Sequence, residues 1–130
     1  MNFLIKEFKN RYFDDIIKTI NNDVSNYVFK SDNDGLLVNN YISYKFISFL
    51  QSEGFDGDGL IEIYSNNINS LYFVVANELK ELGYNVGLTI KSTNNIKETL
   101  VFIYKSKVKS VIGTLISNVP FIKSLIAKIV

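Results

Sequence analysis

The chain has 130 residues, 47% of them apolar and 21% charged, with a net charge of +1. That length and mix fit one folded domain and exclude a disordered chain. The sequence holds no Cys and no His, which removes disulfide frameworks, Cys/His zinc sites, thiol nucleophiles, Ser-His-Asp triads and histidine switches.

In chain order, residues 3–20 come first, with Leu4, Ile5, Phe8, Tyr12, Ile16 and Ile20 on one helical stripe. Asn2 is placed to cap that helix, and Asn21-Asn22-Asp23 offers a stop. Ile17, Ile20, Val24 and Tyr27 nevertheless keep the period as far as residue 27. Tyr27 to Lys30 and Leu36 to Asn39 flank Ser31-Asp32-Asn33-Asp34-Gly35, which reads as a short hairpin around an Asp/Asn/Gly loop. Residues 41–53 alternate locally like a strand, but Ile42, Phe46, Phe49 and Leu50 fit a helix capped by Asn40. Gly54 followed by Phe55 is a common helix ending and decides for the helix.

Gly59 to Tyr64, with Ile61 and Ile63 opposite Glu62, predicts a strand. Residues 67–82 carry Ile68, Leu71, Tyr72, Val75, Leu79 and Leu82 on a continuous helical face that ends at Gly83-Tyr84. Leu50 to Asp56 and Leu79 to Asn85 resemble each other at an offset of 29 residues. Shared helix-stop grammar explains that better than duplication, because two copies are too few for a solenoid. Tyr84, Val86, Leu88 and Ile90 alternate with polar residues as a half-buried strand, and Ser92-Thr93-Asn94-Asn95 turns the chain. Thr99 to Tyr104 returns with apolar residues on both faces, the mark of a central strand or of one covered by a helix. Tyr72, Val75, Leu79, Val86, Leu88 and Phe102 are the expected core. The whole predicts a single α+β domain over residues 1–130. Its order is αββαβαββα, with about five short strands in a mixed sheet and a C-terminal amphipathic helix.

That last segment is the most informative. Residues 99–130 hold Lys105, Lys107, Lys109, Lys123 and Lys128 and no acid, a sum of +5, while residues 1–98 hold nine basic and 13 acidic residues, a sum of −4. Val108, Val111, Ile112, Leu115, Ile116 and Val119 form one apolar stripe. Pro120 sits where a new helix could begin. Phe121, Ile122, Leu125, Ile126 and Ile129 continue the pattern, with Lys123, Ser124 and Lys128 on the other side. One kinked helix or two short ones fit residues 107–130. Such a segment can close the domain's own core, fill a partner's groove, join two copies, or lie on an anionic membrane. The absence of Trp weighs against the membrane. Lys105, Lys107, Lys109, Phe121, Ile122, Lys123, Leu125, Ile126, Lys128 and Ile129 are the contact candidates.

Patterns that could carry chemistry are weak. Asp32/Asp34 and Asp56/Asp58 are carboxylate pairs beside Gly, yet neither loop keeps an EF-hand register or a closing Glu. Both fit plain turn chemistry. Glu78-x-Lys80 falls inside the most regular helix, where residues two apart diverge, so it does not make a nuclease-type pair. Gly54 to Gly59 is Gly-rich, but its Asp residues would repel phosphate. The 67–82 helix carries Glu78 and Glu81 and no Arg, which argues against specific DNA reading. No cofactor is implied. The residues point to a non-enzymatic protein-binding module, with a peripheral membrane or self-assembling protein as the alternative. A heavy preference for Lys over Arg, with Ala only at 76 and 127, marks an AT-rich genome. It suggests a phage or mobile-element accessory protein, an inhibitor of a host system or a minor virion component. Met1 to Glu7 lacks the apolar run of a signal peptide, and no stretch reaches the roughly 18 uncharged apolar residues of a span. An intracellular or virion location is therefore expected.

Overall fold

The computed structural model describes residues 2–105. Helix α1 spans Phe3–Asn26, and the Asn2 side chain accepts from the Ile5 amide at 2.8 Å, the expected cap. The helix runs through Asn21-Asn22-Asp23 because Ile20 is fully buried and Val24 packs against the core, so the apolar stripe continues.

The expected hairpin is replaced by a side-chain-centred loop. Tyr27 Oη and the Lys30 amide both donate to the Asp34 carboxylate, at 2.9 and 3.0 Å. Those two donors hold its carboxyl below the usual carboxylate range, with the Lys30 amide the larger influence. Residues 27–30 form no strand, and Val28 is 80% exposed. Strand β1, Gly35–Leu37, pairs with distant chain instead.

Helix α2 spans Asn39–Ser52. Val38, not Asn40, holds its N-cap position, and Asn39 turns inward and is buried. Helix α3 spans Gly57–Glu81, so the strand expected over Gly59 to Tyr64 is the first part of a helix. Leu60, Ile63 and Tyr64 pack on the core and extend the Ile68–Leu71–Val75–Leu79 face backwards by two turns. Ile61, which suggested alternation, is 60% exposed. Both helix stops behave as read. At Gly54 and Gly83 φ is +97° and +100°. The amides of Gly54 and Phe55 return to Gln51 and Leu50, and those of Gly83 and Tyr84 to Lys80 and Leu79. One motif closes both helices, which accounts for the 29-residue resemblance.

Strands β2, Asn85–Thr93, and β3, Ile96–Tyr104, form a hairpin around Asn94-Asn95, both with positive φ. The described residues thus give three helices and three strands in the order αβααββ, not five strands. The sheet is antiparallel throughout, in the order β1-β3-β2, so it is not mixed. β3 is central, as its two apolar faces suggested. The helices pack on one another and, through α2 and α3, on one face of the sheet. Phe8 meets Phe46 and Phe49 edge-on at 5.3 and 5.7 Å in the middle of that core. Tyr72, Val75 and Leu79 are buried as expected, while Val86 and Leu88 are half-buried. Phe102 is a correction: Val101 and Ile103 point inward and are buried, so Phe102 faces the opposite side. The predicted C-terminal helix, residues 107–130, lies outside the described residues.

Candidate interaction face

The sheet has two unlike faces, and the register assigns every residue to one of them. Leu36, Val86, Leu88, Thr99, Val101 and Ile103 share the inner face under the helices. On the outer face Gly35 and Asn85 oppose Tyr104, Leu37 and Gly87 oppose Phe102, and Thr89 opposes Leu100. Leu37 is 40% exposed; Leu100, Phe102 and Tyr104 are half-buried and stand apart from the core cluster.

Two glycines shape this face. A Cβ at Gly35 would lie 2.7 Å from the Tyr104 ring, and one at Gly87 would lie 2.5 Å from it. The ring therefore lies flat across all three strands, in space that any larger residue would fill, with Phe102 beside it at 6.1 Å. The result is a low, apolar, aromatic floor. Its surround is polar: Lys91 sits across from Glu98 at one end, and Asp32, Asn33 and Asn85 share a cleft with Tyr104 at the other.

The β1 side of β3 is sealed by side chains. β1 ends at Leu37, and beyond it the Val38 amide donates to the Val101 carbonyl. Asn39 then accepts from the Val101 amide and donates to the Thr99 carbonyl, both at 2.8 Å. Asn69 continues the row, accepting from the Thr99 amide at 3.0 Å and donating to the Lys97 carbonyl at 3.1 Å. Two asparagines from two helices thus take the place of a strand, and the buried backbone groups there are satisfied. Sequence reasoning missed both. The available signal was Asn39 lying on the buried stripe of Ile42 and Phe46, a polar residue that needs a partner when buried.

A second concavity, about 570 Å³, lies between α1 and the start of β2, lined by Ile17, Val24, Phe29, Tyr84 and Ile103 among others. Tyr84 Oη donates to Asn21 across it at 2.8 Å. Burial raises the Tyr84 hydroxyl above its ordinary value. Tyr41, donating to Asp23, is pushed up to about 12, mainly by burial. These groups are therefore protonated near neutrality, as donors rather than bases.

Of the ten contact candidates, the structure describes Lys105 alone: it is exposed, and its carbonyl accepts from the Asn85 side-chain Nδ2 at 3.2 Å. Lys107, Lys109, Phe121, Ile122, Lys123, Leu125, Ile126, Lys128 and Ile129 lie outside the described residues. The carboxylate pairs are divided. Asp34 is engaged by Tyr27 and Lys30, Asp32 stands on the surface near Tyr104, Asp56 is the N-cap residue of α3, and Asp58 lies in that helix's first turn. Among the described residues no three acidic side chains converge as a metal site would need, and no helix is long and apolar enough to cross a membrane. Glu78, one half of the ExK pattern, is paired with Lys9.

Fold and face together define an α+β protein with helices on one side of a small antiparallel sheet and an apolar floor on the other. No family model matches the chain, and neither a curated protein nor a solved structure does.

Proposed function

We propose that this chain is a non-enzymatic protein-binding module whose contact element lies within the cationic amphipathic segment 107–130, at its second stripe from Phe121 to Ile129. The observation that carries this reading is that the helical core closes among residues 3–104. α1 packs on α2, α2 on α3, and α3 on β3, with Val101 and Ile103 at or near zero exposure. The segment's Val/Ile/Leu stripes are not called on to fill that layer, and stripes of that size normally mark an interaction site. Phe121, Ile122, Leu125, Ile126 and Ile129 are the anchors in this reading. They seat in an apolar groove of another protein while Lys123 and Lys128 meet acidic groups at its rim. The AT-rich codon bias goes with a phage or mobile-element accessory protein.

The test uses the full chain. With Leu125→Lys and Ile126→Lys together, the melt should stay unchanged while a protein captured from the native host by the unaltered chain is lost. Retained capture would overturn the reading. Flotation with anionic vesicles that the same substitutions abolish would replace it by the membrane reading.

A further inference from the structure

We infer that the outer face of the sheet is the seat of residues 107–119 of this same chain, which lie across it as a fourth helix and turn the two-layer fold into a three-layer one. This goes beyond the binding reading and does not depend on it. The first ground is the face itself. A strand with apolar residues on both sides calls for cover on both, and the helices cover only the side of Val101 and Ile103. Leu37, Leu100, Phe102 and Tyr104 make the other side. Gly35 and Gly87 keep it low enough for a helix to approach, because the Tyr104 ring lies flat between them.

The second ground is where the chain goes next. β3 is the middle strand, and it ends at Tyr104, on the floor. Residues 106–130 follow directly. Lys105-Ser106 is a connection of the usual length, since strand-to-helix loops run about 2–6 residues. The dimensions agree. Leu100 to Tyr104 is about 13 Å of strand, and the Val108 to Val119 stripe is about 17 Å if helical. Pro120 then falls where the apolar floor has been used up, so the second stripe, Phe121 to Ile129, remains beyond it.

Charge and tethering favour this occupant over a second copy. Residues 99–130 sum to +5 against −4 for residues 1–98. Lys107 and Lys109 would start near Asp32, which shares a cleft with Tyr104. A short tether also gives an effective concentration of order millimolar, which a separate chain at ordinary concentration does not reach.

The chain holds neither Trp nor Cys, so single reporters read cleanly in the full-length protein. Leu115→Trp should give blue-shifted emission, poor quenching by acrylamide and no change on dilution. Adding Leu37→Lys and Leu100→Lys should shift that emission to the red. In a second arm, Thr89→Cys, an exposed outer-face position, is combined in turn with Val111→Cys, Ile112→Cys or Leu115→Cys. Oxidation should give a disulfide within one chain for at least one pair. Water-exposed Trp emission in the intact chain would overturn the inference, as would emission insensitive to the two Lys substitutions. Burial that fades on dilution, with disulfides between chains, would assign the face to a second copy instead. Burial that needs anionic vesicles would assign the stripe to a membrane. None of these readouts involves Leu125, Ile126 or a captured protein, so docking of 107–119 and partner binding by the remainder succeed or fail separately.

Discussion

Asn39 shows how a single polar side chain can be worth more than the apolar one its position invites. It sits on the buried stripe of α2 and is 3% exposed. Asn39→Leu would suit the stripe but leave the Thr99 carbonyl and the Val101 amide unpaired away from water. Each such group costs about 1–3 kcal/mol, so urea melts should show a loss of about 2–6 kcal/mol in all. Asn69→Ala should cost less, because its bond to the Lys97 carbonyl is exposed and its bond from the Thr99 amide is only partly buried, so water can replace it there more readily than at Asn39. A second residue-level expectation concerns alkaline pH. Burial, then the hydrogen bond to Asp23, raises the Tyr41 hydroxyl from 10.0 to about 12. The fold therefore favours the neutral phenol, a contribution complete below pH 10 and lost as pH rises through about 12. Tyr72 and Tyr84 are raised in the same direction, both mainly by burial. Thermal melts across that window should lose stability steadily, and Tyr41→Phe should flatten the loss. A variant as pH-sensitive as the parent would remove Tyr41 from the account.

Helix ends were the elements most legible in the sequence, because they are local. The Gly-aromatic pairs at 54–55 and 83–84 each specify one backbone geometry within six residues, and both adopt it. Gly83→Ala should therefore cost about 1–2 kcal/mol from the left-handed backbone alone, since nothing crowds the added Cβ. Gly59→Ala should do the opposite. It lies inside α3 with open space around it, and replacing such a Gly adds about 0.4–1 kcal/mol of stability. A melting temperature that rises for Gly59→Ala and falls for Gly83→Ala would mark α3 at both ends. What the sequence hid was non-local. Ile61-Glu62-Ile63 alternates over too few residues to separate a strand from a helix whose face runs through Leu60, Ile63 and Tyr64. Residues 27–30 had a strand's composition, but their partner is the Asp34 carboxylate, and β1 finds its own partner 65 or more residues away in β3. Leu100 to Tyr104 is an unbroken apolar run, so its period cannot say which alternate set points inward. Pairing with β2 decides that, and it put Val101 and Ile103 where Phe102 was expected. The candidate site divides the same way: its amphipathic segment shows in the sequence, while its flat aromatic floor depends on two glycines 52 residues apart.

At the scale of the whole molecule the sheet is protected unevenly, and hydrogen exchange should display it. β3 is bonded on both sides. Its odd-numbered amides face β1 and the asparagines, since Thr99 donates to Asn69 and Val101 to Asn39. Antiparallel alternation then directs Leu100, Phe102 and Tyr104 toward β2, where they exchange bonds with Thr89, Gly87 and Asn85. It follows that the amides of Val86, Leu88 and Ile90 point away from β3, to an edge that no strand pairs with among the described residues. Side-chain burial says otherwise for two of these, because Val86 and Leu88 pack against the core. Exchange follows the amide and not the side chain, since a strand edge can open without unfolding the rest. Native-state exchange followed by NMR should therefore find Thr99 and Val101 among the slowest amides, opening only with the global transition. Val86, Leu88 and Ile90 should be fast, alternating with slower Gly87 and Thr89. If those three exchange as slowly as β3, a further strand must pair with the β2 edge in solution. Dependence of their rates on protein concentration would then say whether that strand belongs to a second copy.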